Sequence, residues 1–143
     1  MKFEERTFSK RFPAVNCAVF VIYEPSTQGK PYEWNPKDDD MDVAIQRMHY
    51  RGTAAAVILP NGYFCVGVSL CSPDDAFVKV VGRTKAIGRA YAAMLEDKFH
   101  GSATIIEAVD GHPIEPRIGD VAGLTASLQA EIQSAKRRAM EGR

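Results

Sequence analysis

Residues 61–99 read NGYFCVGVSLCSPDDAFVKVVGRTKAIGRAYAAMLEDKF, and this stretch decides the fold. It begins with Asn61-Gly62, which lies between two apolar runs, residues 54–59 and 63–70. An Asn-Gly pair between apolar runs is the strongest short signal for a β-hairpin, because both residues accept positive φ angles. The sequence therefore predicts two antiparallel strands joined at this turn.

Signals for a long helix follow the second strand. Ser72 suits an N-cap, and Pro73 suits the first helical position, where no N–H is needed. Asp74 and Asp75 place negative charge at the positive end of the helix dipole, and Ser72 and Asp75 have the spacing of a capping box. We therefore predict a helix that begins after Ser72 and ends at about Phe99.

The apolar residues of this predicted helix lie on one broad face, because successive residues of an α-helix are rotated by about 100°. Lys79 and Arg83 lie along one edge of that face, and Lys85 and Arg89 lie beyond the other. These charges are either the solvated flanks of a core-facing helix or the lining of an anion or nucleotide pocket. The predicted apolar face contains Phe77, Val80, Val81, Thr84, Ile87, Gly88, Tyr91, Met94 and Leu95.

Two glycines interrupt the same helix. Gly82 and Gly88 each cost a helix about 1 kcal/mol relative to Ala. Their presence indicates close approach of another helix, a sheet or a ligand.

The composition indicates one globular domain, residues 1–143, with 45% hydrophobic and 25% charged residues. Eighteen basic residues balance eighteen acidic ones, so we expect no general affinity for DNA, RNA or a membrane. Residues 1–11 are polar, and we expect them to be loosely ordered. Cys17, Cys65 and Cys71 are sparse and odd in number, which favours a reducing cytoplasm. No signal peptide or membrane span is evident, so we expect a cytoplasmic protein.

The regions before the hairpin give one clear strand. Residues 14–23 are β-branched and aromatic, which predicts a strand. Residues 24–40 predict a loop, in which Tyr32 and Trp34 either pin the loop to the surface or form an aromatic platform for a base. Residues 41–51 have helical spacing that Gly52 would end, although a strand is an alternative.

The regions after the long helix predict a strand, a turn and a final helix. The strand covers residues 102–109, residues 110–113 have turn chemistry, and residues 114–119 form an irregular connection. Asp120 starts the last helix, and its narrow apolar stripe resembles a coiled-coil seam that packs along another helix, either of the same chain or of a second subunit. The whole order predicts an α+β fold: a small antiparallel sheet with helices on one face, a long central helix and a C-terminal helix.

Several catalytic signatures are missing from the sequence. It contains no Walker loop, dinucleotide fingerprint, nucleophile elbow or clustered zinc ligands. We therefore expect no cofactor, no metal and no catalysis. Asp74 and Asp75 occupy the predicted helix N-terminus, so we expect a poor phosphate site there. Arg83 and Arg89 are better candidates, because the planar guanidinium matches phosphate and stacks on rings.

The hairpin-to-helix segment resembles one found in small phage proteins. The resemblance is carried by Cys71-Ser72-Pro73, Asp75, Phe77, Gly82-Arg83 and Gly88-Arg89-Ala90, about a quarter of the chain. These residues resemble the first described family of Thoeris anti-defence proteins. Those are phage-encoded sponges that sequester a cyclic ADP-ribose isomer made by a bacterial TIR-domain immune enzyme. Some members also bind cyclic oligonucleotides at a separate site in a multimeric assembly.

The resemblance implies a homo-oligomeric protein in the host cytoplasm that binds a nucleotide signal without cleaving it. Two other hypotheses stay open: an enzyme that degrades a nucleotide signal, and a structural or protein-binding phage component. Ligand contacts need basic groups for phosphate and aromatic rings for stacking. The candidate ligand-binding residues are Arg83, Arg89, Lys79, Lys85, Phe77, Tyr63 and Arg117.

Overall fold

The structure is a computed structural model of the chain, and it describes residues 2–25, 50–72 and 75–141. The described residues form an α+β fold with a five-stranded antiparallel sheet in the order β1-β2-β3-β4-β5 and a two-stranded β6-β7 sheet. The predicted fold class is therefore confirmed. The elements are β1 Glu4–Arg6, β2 Val15–Tyr23, β3 Arg51–Ile58, β4 Tyr63–Cys71, α1 Lys79–Leu95, β5 Gly101–Ser102, β6 Ile105–Val109, β7 His112–Ile118 and α2 Val121–Glu141.

Parts of two sequence predictions lie outside the described residues. These are the loop that contains Tyr32 and Trp34, and the first nine residues of the helix predicted for 41–51. The last two residues of that helix prediction are wrong, because Tyr50 has no regular structure, Arg51 begins β3 and Gly52 continues it. Gly52 is needed for packing, since a Cβ there would collide with the side chain of Ile132 on α2.

The predicted β3–β4 hairpin is confirmed, but its turn differs in detail. Gly62 has φ +96°, whereas Asn61 does not have positive φ. The N–H of Gly62 donates to the Leu59 carbonyl at 2.8 Å, and the N–H of Leu59 donates to the Tyr63 carbonyl at 2.9 Å. This geometry is a three-residue loop, because Pro60 fixes a negative φ at the first loop position and leaves the left-handed conformation to Gly62.

The two helices cover opposite faces of the sheet, so the expectation that they share one face is wrong. Strand side chains alternate between faces. On β3, Ala54, Ala56 and Ile58 pack with the α2 residues Leu128 and Ile132. Val57 of β3 instead packs with Cys17 of β2 and Ala90 of α1. The apolar stripe of α2 is therefore part of the chain's own core, which corrects its interpretation as a seam for a second subunit.

Helix α1 begins at Lys79, seven residues after the predicted cap at Ser72. Its N-cap is Val78, which is extended and makes no side-chain capping bond. The capping box of Ser72 and Asp75 is therefore not formed, although the Asp75 N–H donates to the Ser72 carbonyl at 3.0 Å. The start of α1 is set by its packing on the sheet, which stabilises a helix more than a cap does.

Helix α1 ends at Leu95 rather than Phe99, because the chain turns into a left-handed residue. Asp97 has φ 56°. The N–H of Lys98 donates to the Ala93 carbonyl at 2.9 Å, and the N–H of Asp97 donates to the Met94 carbonyl at 3.1 Å. These bonds form a Schellman motif, with Asp97 where Gly is more usual.

The buried face of α1 differs from the predicted one. Ala86, Ala90 and Tyr91 are buried, whereas Val80 and Val81 are exposed. The physical reason is close packing of backbones. A Cβ on Gly67 of β4 would collide with the backbone of Ala86 and Ala90, so only small residues fit this face of the helix.

The N-terminal segment has a regular structure, in contrast to the expectation of loose order. Strand β1 pairs with β2 in a register that places Glu4 opposite Cys17. Phe8 stacks on Tyr91 of α1 with ring centroids 4.5 Å apart. Pairing and stacking together hold residues 4–8 against the domain.

The C-terminal half contains one more hairpin than predicted. The predicted strand 102–109 is divided into β5 and β6, and the predicted irregular connection 114–119 contains most of β7. Asp110 and Gly111 both have positive φ, and Val109 pairs with His112. This is a two-residue hairpin turn. Asp120 caps α2 as predicted, since its Oδ1 accepts from the Gly123 N–H at 2.9 Å.

Candidate anion-binding cleft

A cleft of about 250 Å³ lies where the ends of β3 and β4 meet the start of α1. Its walls include Arg51 and Thr53 of β3, Cys71 of β4, and Phe77, which precedes α1. Gly82 and Lys85 of α1 complete the side nearest the helix, and Asp75 contributes one carboxylate. Two basic side chains and one acidic side chain give the cleft a net positive lining.

Arg51 is held in a defined position on the cleft wall. Its guanidinium carbon lies 3.9 Å from the centroid of the Phe77 ring. Its Nε donates to the Glu24 carbonyl at 2.9 Å. The stacking and the hydrogen bond leave the terminal nitrogens of Arg51 without a partner among the described residues. A fixed guanidinium with free N–H groups is suited to phosphate or carboxylate.

The residue that fixes Arg51 is itself anchored by a buried ion pair. Glu24 accepts from Lys136 of α2 at 2.6 Å on Oε1 and 2.8 Å on Oε2. The Lys136 side chain is only 6% exposed. The Gly52 N–H also donates to Glu24 Oε1, at 2.8 Å. The end of β2, the start of β3 and the C-terminal helix are therefore tied together behind the cleft.

The cleft contains a buried hydroxyl without a partner. Thr53 is fully buried, and its Oγ1 makes no hydrogen bond within the described ranges. It faces the first turn of α1, where a Cβ on Gly82 would lie 2.7 Å from it. Leaving a buried polar group unpaired costs about 1–3 kcal/mol. The hydroxyl therefore has unused capacity to bond a ligand.

The start of α1 also places the positive end of a helix dipole at the cleft. The first turn contains no acidic residue, and the N-cap residue Val78 offers no side-chain acceptor. Val78 lines the cleft. The N–H groups of Val81 and Gly82 both donate to the Val78 carbonyl at 3.1 Å, so the helix start contributes the positive end of its dipole, which attracts anions. The expectation that acidic residues fill this end is wrong, because the helix begins after them.

The candidate residues from the sequence are distributed over several regions. Phe77 and Lys85 line the cleft. Lys79 begins α1 beside the cleft, and its Nζ lies 5.2 Å from the centre of the Tyr23 ring. Arg83 is exposed on α1 and is not part of the lining.

The other three candidates lie away from the cleft. Arg89 donates from Nη1 to the Val68 carbonyl on β4. Tyr63 lies at the opposite end of β4 from Cys71, and its ring packs edge-on against Phe99 with centroids 5.9 Å apart. Arg117 is on β7 in the separate two-stranded sheet. The structure thus brings two of the seven candidates into the cleft and a third to its border.

Sequence reasoning missed Arg51 and Thr53. Arg51 was assigned to the end of a helix, and Thr53 lies in a strand with no motif around it. The only available signal for Arg51 was its chemistry, a single Arg directly before a strongly apolar strand. Thr53 gave no signal, because its lack of a partner is visible only in the folded chain.

The three cysteines differ in environment. Burial raises the pKa of the Cys17 thiol, and it does the same for Cys65. Cys71 is partly exposed in the cleft wall, where its Sγ contacts the Asp75 and Ala76 carbonyls at 3.7 Å. No group of three metal-coordinating side chains occurs in the described part of the chain. No helix among the described residues has the length and hydropathy needed to cross a membrane.

Comparisons with protein-family models, with curated proteins and with solved structures gave no match to this chain. The cleft and the sequence resemblance are therefore the two features that point to a function.

Proposed function

We propose that the cleft binds a small anionic nucleotide and holds it without chemical change. The observation that supports this most is the convergence of Arg51, Lys85 and the unpartnered Thr53 hydroxyl at the start of α1. Each of these groups favours an anion or a phosphate oxygen. Their convergence on one small cleft favours a ligand with a compact negative charge.

The arrangement suggests which groups of the cleft would contact the phosphate of a nucleotide and which would contact its base or ribose. A phosphate would lie near the positive end of the α1 dipole and accept from Arg51 and Lys85. The Thr53 hydroxyl would donate to one of its oxygens. Phe77 covers one face of the Arg51 guanidinium, which leaves the other face for a base or ribose. A cleft of about 250 Å³ would enclose one nucleotide unit of a cyclic ligand and leave the remainder of that ligand outside the cleft.

The resemblance to Thoeris anti-defence sponges supplies the biological setting of the proposal. A phage protein of this kind would act in the host cytoplasm and would deplete an immune signal by capture. The ligand would be a cyclic ADP-ribose isomer or a cyclic oligonucleotide. Affinity would come from Arg–phosphate pairs and ring stacking, with no catalytic group required.

The test is calorimetric titration of the full chain with a cyclic ADP-ribose isomer and a panel of cyclic oligonucleotides. The protein is then heat-denatured and the released nucleotide is identified by chromatography. Saturable binding with recovery of the intact nucleotide supports the proposal. Recovery of an altered nucleotide supports the competing hypothesis of a degrading enzyme. Absence of binding across the panel contradicts both.

A further inference from the structure

A buried ion pair connects the C-terminal helix to the residue that holds Arg51. Lys136 of α2 donates to Glu24 Oε1 at 2.6 Å and to Glu24 Oε2 at 2.8 Å, and its side chain is almost fully buried. Glu24 directly follows β2, and its carbonyl accepts from Arg51 Nε at 2.9 Å. Lys136 is therefore linked to a cation of the cleft through a single residue, although it does not line the cleft itself.

Glu24 is bonded to β3 by both its main chain and its side chain. Its N–H donates to the Gly52 carbonyl at 2.9 Å, and the Gly52 N–H donates to Glu24 Oε1 at 2.8 Å. Gly52 is the residue after Arg51 on β3. The position of Glu24 beside β3 therefore determines where its carbonyl meets the Arg51 side chain.

The same face of α2 contacts this junction at a second point. Ile132 and Lys136 are four residues apart, which places them on one face of the helix. A Cβ on Gly52 would collide with the Ile132 side chain and would lie 3.0 Å from Glu24 Oε1, so glycine lets both groups approach β3. Two residues of α2 thus hold Glu24 and the start of β3 in a fixed relation.

Stability alone does not account for a buried ion pair at this place. The cost of desolvating two charges offsets much of their attraction, and a well-packed apolar pair of similar volume often stabilises a protein as much. An apolar pair does not fix the direction of its partner. Lys136, in contrast, bonds both carboxylate oxygens of Glu24, which restricts the orientation of that side chain.

We propose that Lys136 is a positioning residue for the cleft, which holds Arg51 through Glu24 in the orientation that binds a phosphate group. This role rests on the proposed function, because it assigns Lys136 to the nucleotide affinity of the same cleft. A long side chain that is already fixed loses less conformational entropy when a ligand binds. The C-terminal helix therefore contributes to affinity without contacting the nucleotide.

The position of Arg51 is measured first in the protein without nucleotide. NMR relaxation of the Arg51 Nε–H group reports how rigidly the guanidinium is held, and the signal is assigned by its loss in Arg51→Ala. We expect a rigid group in the native chain and a mobile group in Lys136→Met. An Nε–H group that stays equally rigid in a folded Lys136→Met protein would overturn the proposal.

Titration with the cyclic ADP-ribose isomer and the cyclic oligonucleotide panel gives the second readout. We expect Lys136→Met to weaken binding about fivefold and Arg51→Ala to weaken it at least tenfold. The double variant should bind like Arg51→Ala alone, because Lys136 acts through Arg51. Losses that multiply in the double variant, or native affinity in Lys136→Met, contradict the proposal. If the native protein binds no member of the panel, the proposed function fails, and the NMR comparison still decides whether Lys136 positions Arg51.

Two further variants separate positioning from stability. Leu124→Ala removes a buried side chain of the same helix beside Phe64, at the end of the sheet away from Arg51, so it should destabilise the fold and keep the native affinity. Glu24→Gln combined with Lys136→Met leaves no unpaired buried charge, so it should be more stable than Lys136→Met and still bind weakly. It also replaces Lys136→Met in both measurements if the single variant does not fold. Native affinity in this double variant, or an equal loss of affinity in Leu124→Ala, would show that Lys136 acts through stability alone.

Discussion

The guanidinium of Arg51 lies over the ring of Phe77, with 3.9 Å between the guanidinium carbon and the ring centroid. This contact joins β3 to the segment before α1, two regions that are distant in sequence. It positions a cation in the wall of a cleft that also contains the Thr53 hydroxyl, and neither the terminal nitrogens of Arg51 nor this hydroxyl has a hydrogen-bond partner among the described residues. This position of Arg51 is the basis for proposing that the cleft binds a nucleotide.

Thr53→Val tests the role of the buried hydroxyl. Val keeps the shape of Thr but removes an oxygen that has no partner in the described structure. Because no hydrogen bond is lost, we expect the free energy of unfolding without ligand to stay constant or rise by about 1 kcal/mol. Affinity for the nucleotide should fall about five- to tenfold, the value of one hydrogen bond. Urea denaturation and titration measure the two effects, and Thr53→Ser should retain the affinity.

Lys136→Met tests the buried ion pair behind the cleft. Lys136 donates to both carboxylate oxygens of Glu24, and its side chain is almost fully buried. Removing one partner leaves a carboxylate in a poorly solvated site, so we expect a loss of about 3 kcal/mol in unfolding free energy. Lys98→Met removes an exposed pair and should have no measurable effect. Equal stability of the two variants in urea would contradict the role of the buried pair.

Gly67→Ala tests the close packing of α1 on the sheet. The added methyl would collide with the backbone of Ala86 and Ala90, which can move only if the helix moves. We expect a loss of about 2–3 kcal/mol, as for other overpacked sites. Gly101→Ala is the control, because its methyl would meet the Phe64 ring at an ordinary 3.5 Å. If the thermal melting temperatures of both variants match that of the native protein, the packing is looser than described.

Thiol titration tests the environments of the three cysteines. Cys71 is partly exposed, whereas Cys17 and Cys65 are buried and burial raises the pKa of both thiols. We expect one thiol of the native protein to react quickly with an aromatic disulfide reagent at pH 8, and all three to react in guanidinium. Rapid reaction of three thiols in the native state would contradict the burial.

The same pKa direction predicts a pH dependence of stability. The folded protein keeps the protons of Cys17 and Cys65 above the ordinary thiol pKa of 9.0. The unfolded chain releases these thiol protons once the pH exceeds about 9. The contribution of the two thiols to stability is therefore complete below pH 9 and decreases as the pH rises further. Replacing both cysteines with Ala should reduce that decrease in urea denaturation between pH 8.5 and 10.5.

Local signals predicted those elements whose geometry is set within a few residues. Asn61-Gly62 marked the β3–β4 hairpin, and Asp120 marked the start of α2. The start of α1 was not predicted, because Ser72 and Asp75 have the chemistry of a cap but residues 75–78 are non-helical and α1 begins at Lys79. A cap contributes about 1 kcal/mol, less than the packing of α1 over Gly67.

Strand β7 was missed for a related reason. Its sequence, HPIEPRI, contains two prolines, which argue against a strand in the interior of a sheet. Among the strands that the structure describes, β7 pairs with β6 alone, so it has a free edge where a missing N–H is tolerated. The Asp110-Gly111 turn was recognised, but the pairing partner that makes it a hairpin could not be inferred from composition.

The cleft could be predicted only in part. Phe77 and Lys85 were chosen for their chemistry and position on the predicted helix, and both line the cleft. Arg51 and Thr53 join them only after the hairpin places β3 beneath α1. Such contacts depend on tertiary packing, and the periodicity of the sequence contains no information about it.

Titration of two arginine variants with the cyclic ADP-ribose isomer and the cyclic oligonucleotide panel tests the central claim most directly. Arg51 lies in the cleft, whereas Arg117 lies on β7 in the other sheet. We predict that the native protein binds a member of the panel, that Arg51→Ala weakens this binding at least tenfold, and that Arg117→Ala leaves it unchanged. Binding that survives Arg51→Ala in a folded protein would contradict the assignment of the cleft as the nucleotide site.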